Sequence, residues 1–135
     1  MIVVDTNVIA SATLRGPLRE AAEAALLKDR AWAAPRLWRH EMRSVLRQQM
    51  RSAGMSRADA VKAFDRAASL LGRREHDVNT AEVLDLAARS GCTTYDCEFV
   101  AAALAFDIRL VTNDRQVLRA FPVLAVPLEV FAAGG

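Results

Sequence analysis

Short apolar segments alternate with longer helical ones along the chain, and this alternation is what most limits the fold. The first, "IVV" at 2–4, is an unbroken β-branched run, typical of a strand buried on both faces. Further strands are expected at 31–35, 74–78, 108–112 and 123–126. Helices are expected between them, at 18–29, 37–52, 57–71, 80–90, 93–106 and 113–121. Strands that alternate with helices form parallel sheets covered on both faces. The sequence therefore predicts a three-layer α/β/α fold with a central parallel sheet of about five strands.

Length and composition limit the class of protein. Residues 1–135 are expected to form a single domain, and a hydrophobic share of 53% argues against disorder. The formal charge of +2 gives no argument for nucleic acid. Asp5 interrupts any signal-like start, and no apolar run reaches the roughly 18 residues that a membrane span needs. Cys92 and Cys97 do not have the spacing of a zinc site, so we expect buried, reduced thiols in a cytoplasmic protein. The closing "AAGG" is expected to be a frayed terminus.

Two carboxylates follow predicted strands directly. Asp5 ends the first strand, and Asp114 comes just after "LVTN", at the end of the fourth. In the commonest order for such a sheet these two strands are neighbours, and their carboxyl ends border the crevice where open α/β folds bind ligands. The alternative is structural, because Asp is also a frequent turn and helix-capping residue. On this strand order, Asp5 and Asp114 face each other across the crevice.

Two further acids lie on predicted helices. Asp96 stands in the first turn of its helix, where Thr93 also gives it the spacing of a capping box. Glu41 lies at the border of a buried helix face, which is unusual for a Glu without a partner. Glu98 is expected to be solvated or peripheral. Four converging carboxylates without His or Cys favour Mg²⁺ or Mn²⁺, ions that commonly serve phosphoryl chemistry.

The chain resembles the PIN domain family, and most closely its VapC-type toxins, the ribonucleases of bacterial toxin–antitoxin pairs. The resemblance rests on "VVDTNV", on Glu41 in "LWRHEMRSVL", on "TTYDCEFVAAAL" and on "LVTND". It implies a PIN-like fold and a metal-dependent endoribonuclease that hydrolyses phosphodiester bonds in RNA. It also implies a cognate antitoxin protein as partner and a homodimer.

By the same resemblance the metal is held by an acidic quartet, and three polar residues support it from behind. The quartet is Asp5, Glu41, Asp96 and Asp114, with Mg²⁺ or Mn²⁺ as the ion. The supporting residues are Thr6, Asn7 and Thr112, of which Thr112 has a hydroxyl suited to steadying a carboxylate.

Other functions on similar folds need residues that this chain lacks. A phosphatase of the haloacid dehalogenase type needs a second Asp two residues after Asp5, where Asn7 stands. A dinucleotide-binding protein needs a GxGxxG after the first strand, and a P-loop enzyme needs its Gly-rich loop and Lys. The alternative that stays open is a non-catalytic interaction module on the same fold.

A ridge of basic residues follows the second predicted helix, at Arg39, Arg43, Arg47 and Arg51. By helical angle the ridge points away from Glu41. An ordinary solvated face is the first interpretation, and a flank for RNA phosphates or for an acidic partner is the second.

Overall fold

Five short strands form one parallel sheet in the computed structural model, which describes residues 1–134. The strands are β1 (Ile2–Val4), β2 (Trp32–Pro35), β3 (Glu75–His76), β4 (Leu110–Val111) and β5 (Ala125–Val126). Their order is β3-β2-β1-β4-β5, and every neighbouring pair is parallel. In the pairing of β1 with β4, Val3 lies opposite Leu110 and Val4 opposite Val111. The predicted neighbours are confirmed, so the carboxyl ends of β1 and β4 lie side by side.

Helices connect and cover the strands. They are α1 (Thr6–Thr13), α2 (Arg19–Lys28), α3 (Trp38–Ala53), α4 (Arg57–Leu71), α5 (Thr80–Ser90), α6 (Thr94–Phe106), α7 (Arg115–Ala120) and α8 (Leu128–Ala132). Helix α6 packs on β1, β2 and β4, and α5 packs on α6. Helix α4 contacts β2 and packs against α1 and α3. The predicted α/β fold, a five-stranded parallel sheet flanked by helices, is confirmed. No helix within residues 1–134 is long and apolar enough to cross a membrane.

The helix boundaries follow capping residues in the local sequence. The side chains of Ser56, Asn79 and Thr93 each accept a hydrogen bond from the N–H three residues on. Gly54 and Gly91 follow the ends of α3 and α5 with φ of +67° and +75°, a conformation that favours glycine. Local sequence therefore sets where these helices begin and end.

Two helices lie where the sequence predicted none. The segment after Asn7 was an expected connection, yet α1 begins at Thr6 because Asp5 caps it and because Val8 and Ile9 are buried. Helix α8 ends at Ala132, the first residue of the expected frayed end, and it packs on α2 with Phe131 buried. The final residue of "AAGG", at 135, lies outside the described residues.

The basic ridge on α3 is only partly a solvated face. Arg39 is half-buried, and its Nε donates to Glu75 Oε1 at 2.7 Å. Its guanidinium also lies 5.8 Å from the ring centre of Phe64, and that of Arg43 lies 5.1 Å from the same ring. The solvated interpretation is wrong for Arg39, because Glu75 comes from a distant strand that a helical pattern does not reveal, whereas Arg43 is exposed. The second half, Arg47 and Arg51, is exposed.

Replacing the cap of α4 tests how far that helix depends on it. Ser56→Ala removes the hydroxyl that accepts from the Asp59 N–H, and we expect it to lower the free energy of unfolding by about 1 kcal/mol. Thermal melts should show a fall of about 3–4 °C. Ser52→Ala is the matched control, because Ser52 lies inside α3 and its hydroxyl bonds only the Gln48 carbonyl. An equal change in both variants would contradict the capping role.

Candidate metal centre

Asp5 both ends β1 and begins α1. Its N–H donates to the Val111 carbonyl at 3.0 Å, so the backbone still belongs to the sheet. Its side-chain Oδ1 accepts from the Thr6 N–H at 2.7 Å and caps α1. The structural and chemical interpretations of this residue are therefore compatible, since the side chain that caps α1 also borders a cavity.

A buried threonine ties the ends of β1 and β4 together. The hydroxyl of Thr112, which is 1% exposed, donates to Asp5 Oδ2 at 2.8 Å. The hydroxyl oxygen of Thr112 also accepts a hydrogen bond from the Asp114 N–H at 3.0 Å. Asp114 in turn caps α7, where its Oδ1 accepts from the Val117 N–H at 3.0 Å. Thr112 thus fixes the separation of Asp5 and Asp114.

A second buried threonine brings in Glu41 from α3. The Thr6 hydroxyl donates to Glu41 Oε1 at 2.7 Å, while the Thr6 N–H holds Asp5. The helix presents Glu41 because Trp38, Met42 and other apolar residues of its inner face are buried. Glu41 therefore lies at the border of that face, as predicted, and its side chain reaches the start of α1.

Asp96 lies on α6, in the helical layer on the other side of the sheet from α1 and α3. It lies in the first turn of α6, which begins after the cap residue Thr93. The Thr93 hydroxyl accepts from the Asp96 N–H at 3.0 Å. Because α6 packs on β1 and β4, its amino end lies beside the carboxyl ends of those strands.

One cavity of about 340 Å³ is bordered by all four predicted acids. Its lining is Asp5, Thr6, Asn7, Glu41, Ser44, Val45, Asp96 and Asp114. Thr112 supports the cavity from behind through Asp5. Ser44 and Val45 were not singled out from the sequence, although their positions three and four residues after Glu41 place them on its helix face. Glu98 is half-buried and outside the lining, which fits its peripheral prediction.

Burial and mutual repulsion raise the pKa of three acids. For Asp5, burial raises the pKa most, the charges of Asp96 and Asp114 raise it further, and hydrogen bonds from Thr112 and Thr6 oppose the rise. Burial raises the pKa of Glu41, and so do the charges of Asp5, Asp96 and Glu98. Burial also raises the pKa of Asp96, with a contribution from Asp114. The carboxylates are therefore close enough to resist full ionisation.

The chemistry of this donor set fits a hard divalent cation. Acidic residues from four segments border one cavity, and its described lining contains neither His nor Cys. Within residues 1–134, no three acid, His or Cys side chains lie close enough to hold an ion as they are positioned. Binding a cation therefore requires the carboxylates to turn toward the cavity centre, and their repulsion favours such an ion.

Replacing Thr112 by Val tests the support of Asp5. The variant keeps the shape and leaves a buried carboxylate oxygen and the Asp114 N–H without partners, which we expect to cost about 1–3 kcal/mol of stability at neutral pH. The Thr112 bond lowers the pKa of Asp5, so its loss raises the folded pKa further. The cost should therefore be smallest below the ordinary Asp value of 3.8 and should grow as the pH rises above it.

Thr13→Val is the matched control for this experiment. Thr13 is also buried, but its hydroxyl bonds the Ile9 and Ala10 carbonyls inside α1 and touches no acid. Melting curves at several pH values measure both variants. If the two variants respond to pH alike, Thr112 does not act through Asp5.

Comparison with known proteins agrees with the fold. The family model of the PIN domain matches residues 2–123, a range that contains all four acids. The crystal structure of PAE2754 from Pyrobaculum aerophilum is similar, with a TM-score of 0.77 over 98% of this chain and 93% of that chain, at 21% identity. At that identity the likeness supports the fold alone. None of the curated proteins compared with the chain matches it. Because the family model covers nearly the whole chain, the protein belongs to the PIN domain family.

Proposed function

We propose that this protein is a metal-dependent endoribonuclease that hydrolyses phosphodiester bonds in RNA. PIN domains are generally nucleases and typically use divalent metal ions. The observation that supports the proposal here is the cavity bordered by Asp5, Glu41, Asp96 and Asp114 at the carboxyl edge of the sheet. A non-catalytic interaction module has no need of four acids whose mutual repulsion opposes folding.

In this proposal the four acids hold Mg²⁺ or Mn²⁺. When bound, such an ion supplies positive charge to a phosphoryl group and lowers the pKa of water. The chain's own contribution is to orient the carboxylates: Thr6 holds Asp5 and Glu41, and Thr112 holds Asp5 and the backbone of Asp114. No His lines the described cavity, so no imidazole is available to deprotonate a ribose 2′-hydroxyl. Water is then the expected nucleophile, and the products carry 5′-phosphate and 3′-hydroxyl ends.

The biological setting that we propose is a toxin–antitoxin pair. Its support is the sequence resemblance to VapC-type toxins in the segments that carry the acids. The proposal includes a cognate antitoxin protein as partner and a homodimer. Co-expression with an antitoxin encoded beside it should relieve any growth arrest that the protein causes.

Cleavage of RNA is the first test. Purified protein incubated with total cellular RNA and Mg²⁺ or Mn²⁺ should produce new 5′-phosphate ends, which ligation-based sequencing maps. Asp96→Asn should reduce cleavage by about a hundredfold or more, as expected for a group that positions the reacting centre. Asp85→Asn is the control, because Asp85 is exposed on α5. This substitution removes the same charge at a position away from the cavity. Products ending in 2′,3′-cyclic phosphate would falsify this mechanism, since they require attack by the ribose hydroxyl.

Thermal melts of Asp5→Asn form the second test. The pKa of Asp5 is raised in the fold, so its ionised form weakens the fold above the ordinary value of 3.8. Asn also caps α1, but its amide nitrogen replaces one of the two accepting oxygens, so the variant loses the bond from Thr6 or from Thr112 at every pH. Relative to the parent, its melting temperature should therefore rise between pH 4 and pH 7, where only the parent gains a charge at this position. Mg²⁺ should raise the melting temperature of the parent because it binds only the folded protein, and should do so much less for the variant. A variant that melts lower and still cuts RNA would reduce Asp5 to a helix cap.

A further inference from the structure

A second cavity adjoins the acidic one and shares two of its lining residues, Asn7 and Val45. It has a volume of about 230 Å³. Its lining is Asn7, Ala10, Ser11, Leu14, Arg15, Gly16, Pro17, Leu18, Arg19, Val45 and Gln49. We call this cavity the α1–α3 groove, because those two helices and the segment after α1 form its walls. The groove is therefore continuous with the four acids.

Helical spacing explains how the groove leads away from the acids. Both walls begin at the carboxyl edge of the sheet, where Asn7 and Glu41 lie in the first turns of α1 and α3. On α3 the same face continues through Val45 to Gln49, eight residues beyond Glu41, or about 12 Å at a rise of about 1.5 Å per residue. Arg15 follows the end of the other wall. Twelve ångström accommodates about three nucleotides at the 3.4 Å spacing of a stacked strand.

Three polar side chains of the groove have no partner within the described chain. The side chains of Asn7, Arg15 and Gln49 make no hydrogen bond or ion pair with residues 1–134. Arg19, by contrast, pairs with Glu23 at 2.9 Å. The groove floor is apolar, with Leu14 buried. An uncommitted guanidinium and two uncommitted amides above an apolar floor match the phosphate, edges and faces of a nucleotide.

A positively charged residue in the groove can offset the negative charge of the neighbouring acidic cavity. The four carboxylates repel phosphates other than the one that a bound cation holds, so a substrate strand needs positive charge nearby. The ridge on α3 points away from Glu41, whereas Arg15 lines a groove that shares Asn7 and Val45 with the acidic cavity. We propose that the α1–α3 groove binds the single-stranded RNA segment next to the cleaved phosphate. Arg15 contacts a phosphate of that segment, and Asn7 and Gln49 contact base or ribose groups; this inference rests on the proposed ribonuclease function.

Two neighbouring glutamines on α3 provide the sharpest test. Gln49 lines the groove, whereas Gln48 is exposed on another face of the same helix. Gln49→Glu adds a nearly isosteric negative charge, and should weaken binding of a fluorescent single-stranded 12-nucleotide RNA by about three- to tenfold. Gln48→Glu should leave binding within about twofold. Gln49→Lys should tighten binding, a change that a folding defect cannot produce. Fluorescence anisotropy in an Asp5→Asn background measures affinity while cleavage is suppressed.

A pair of arginines tests the phosphate contact. Arg15→Gln should weaken binding by about tenfold and reduce the slope of log affinity against log salt by about 0.7. Arg73→Gln is the control, because Arg73 is exposed just before β3, at the amino edge of the sheet. The control should keep the parental salt slope.

The outcomes separate this inference from the proposed function. If Gln49→Glu binds RNA as tightly as Gln48→Glu, or Arg15→Gln as tightly as Arg73→Gln, the groove does not bind the strand, even where the parent cleaves RNA. If both pairs differ but the parent cleaves no RNA with Mg²⁺ or Mn²⁺, the groove is an RNA site and the ribonuclease proposal is wrong. If the parent binds no single-stranded RNA, both proposals are wrong.

Discussion

The burial of carboxylates beside one another, together with the repulsion between their charges, is the constraint on which the rest of the site depends. Asp5, Glu41 and Asp96 all have raised pKa values because they are buried near one another. Two buried threonines oppose that repulsion. Thr6 donates through its N–H to Asp5 and through its hydroxyl to Glu41, and Thr112 joins Asp5 to the backbone of Asp114. Thr6 uses its N–H and its hydroxyl, whereas the hydroxyl of Thr112 both donates and accepts, so each threonine holds two parts of the site at once.

Capping and site chemistry share residues in this protein. Asp5 and Asp114 are the N-caps of α1 and α7, and Asp96 follows the cap of α6. A cap bond from Asp5 or Asp114 uses one oxygen, and the side chain still borders the cavity. The choice between a structural and a chemical interpretation of such an Asp is therefore a false one. A helix that begins where a parallel strand ends presents a carboxylate at the edge where these folds bind ligands.

Much of the fold was predictable from local sequence signals. Buried strands read as short apolar runs, and Ser56, Asn79 and Thr93 mark helix starts because capping is a contact between residues three apart. The strand order and the meeting of the acids followed from the usual chirality and order of parallel sheets. Their roles as ligands stay a prediction.

Other features depended on contacts between distant segments. Helix α1 was not predicted because its apolar residues are consecutive and lack a helical period. Without that helix, the positions of Asn7 and Arg15 along one wall of the groove could not be predicted. Helix α8 is stabilised by packing on α2, and this contact cannot be predicted from the short sequence of α8. The binding of Arg39 by Glu75 spans 36 residues, so no helical periodicity contains it.

That ion pair has a consequence for how tolerant the quartet is to ions of different radius. Glu75 lies on the outermost strand, and it accepts hydrogen bonds from both Trp38 and Arg39 in the first turn of α3. Glu41, two residues farther along, is thus attached to the sheet through side chains, whereas Asp5 and the backbone of Asp114 are attached through strand hydrogen bonds and Thr112. Side-chain torsions are softer than a paired backbone, and Glu has one more rotatable bond than Asp. If the four acids hold a cation as proposed, the short Asp side chains are the stiffer ligands, and the longer side chain of Glu41 can adjust to the size of the ion.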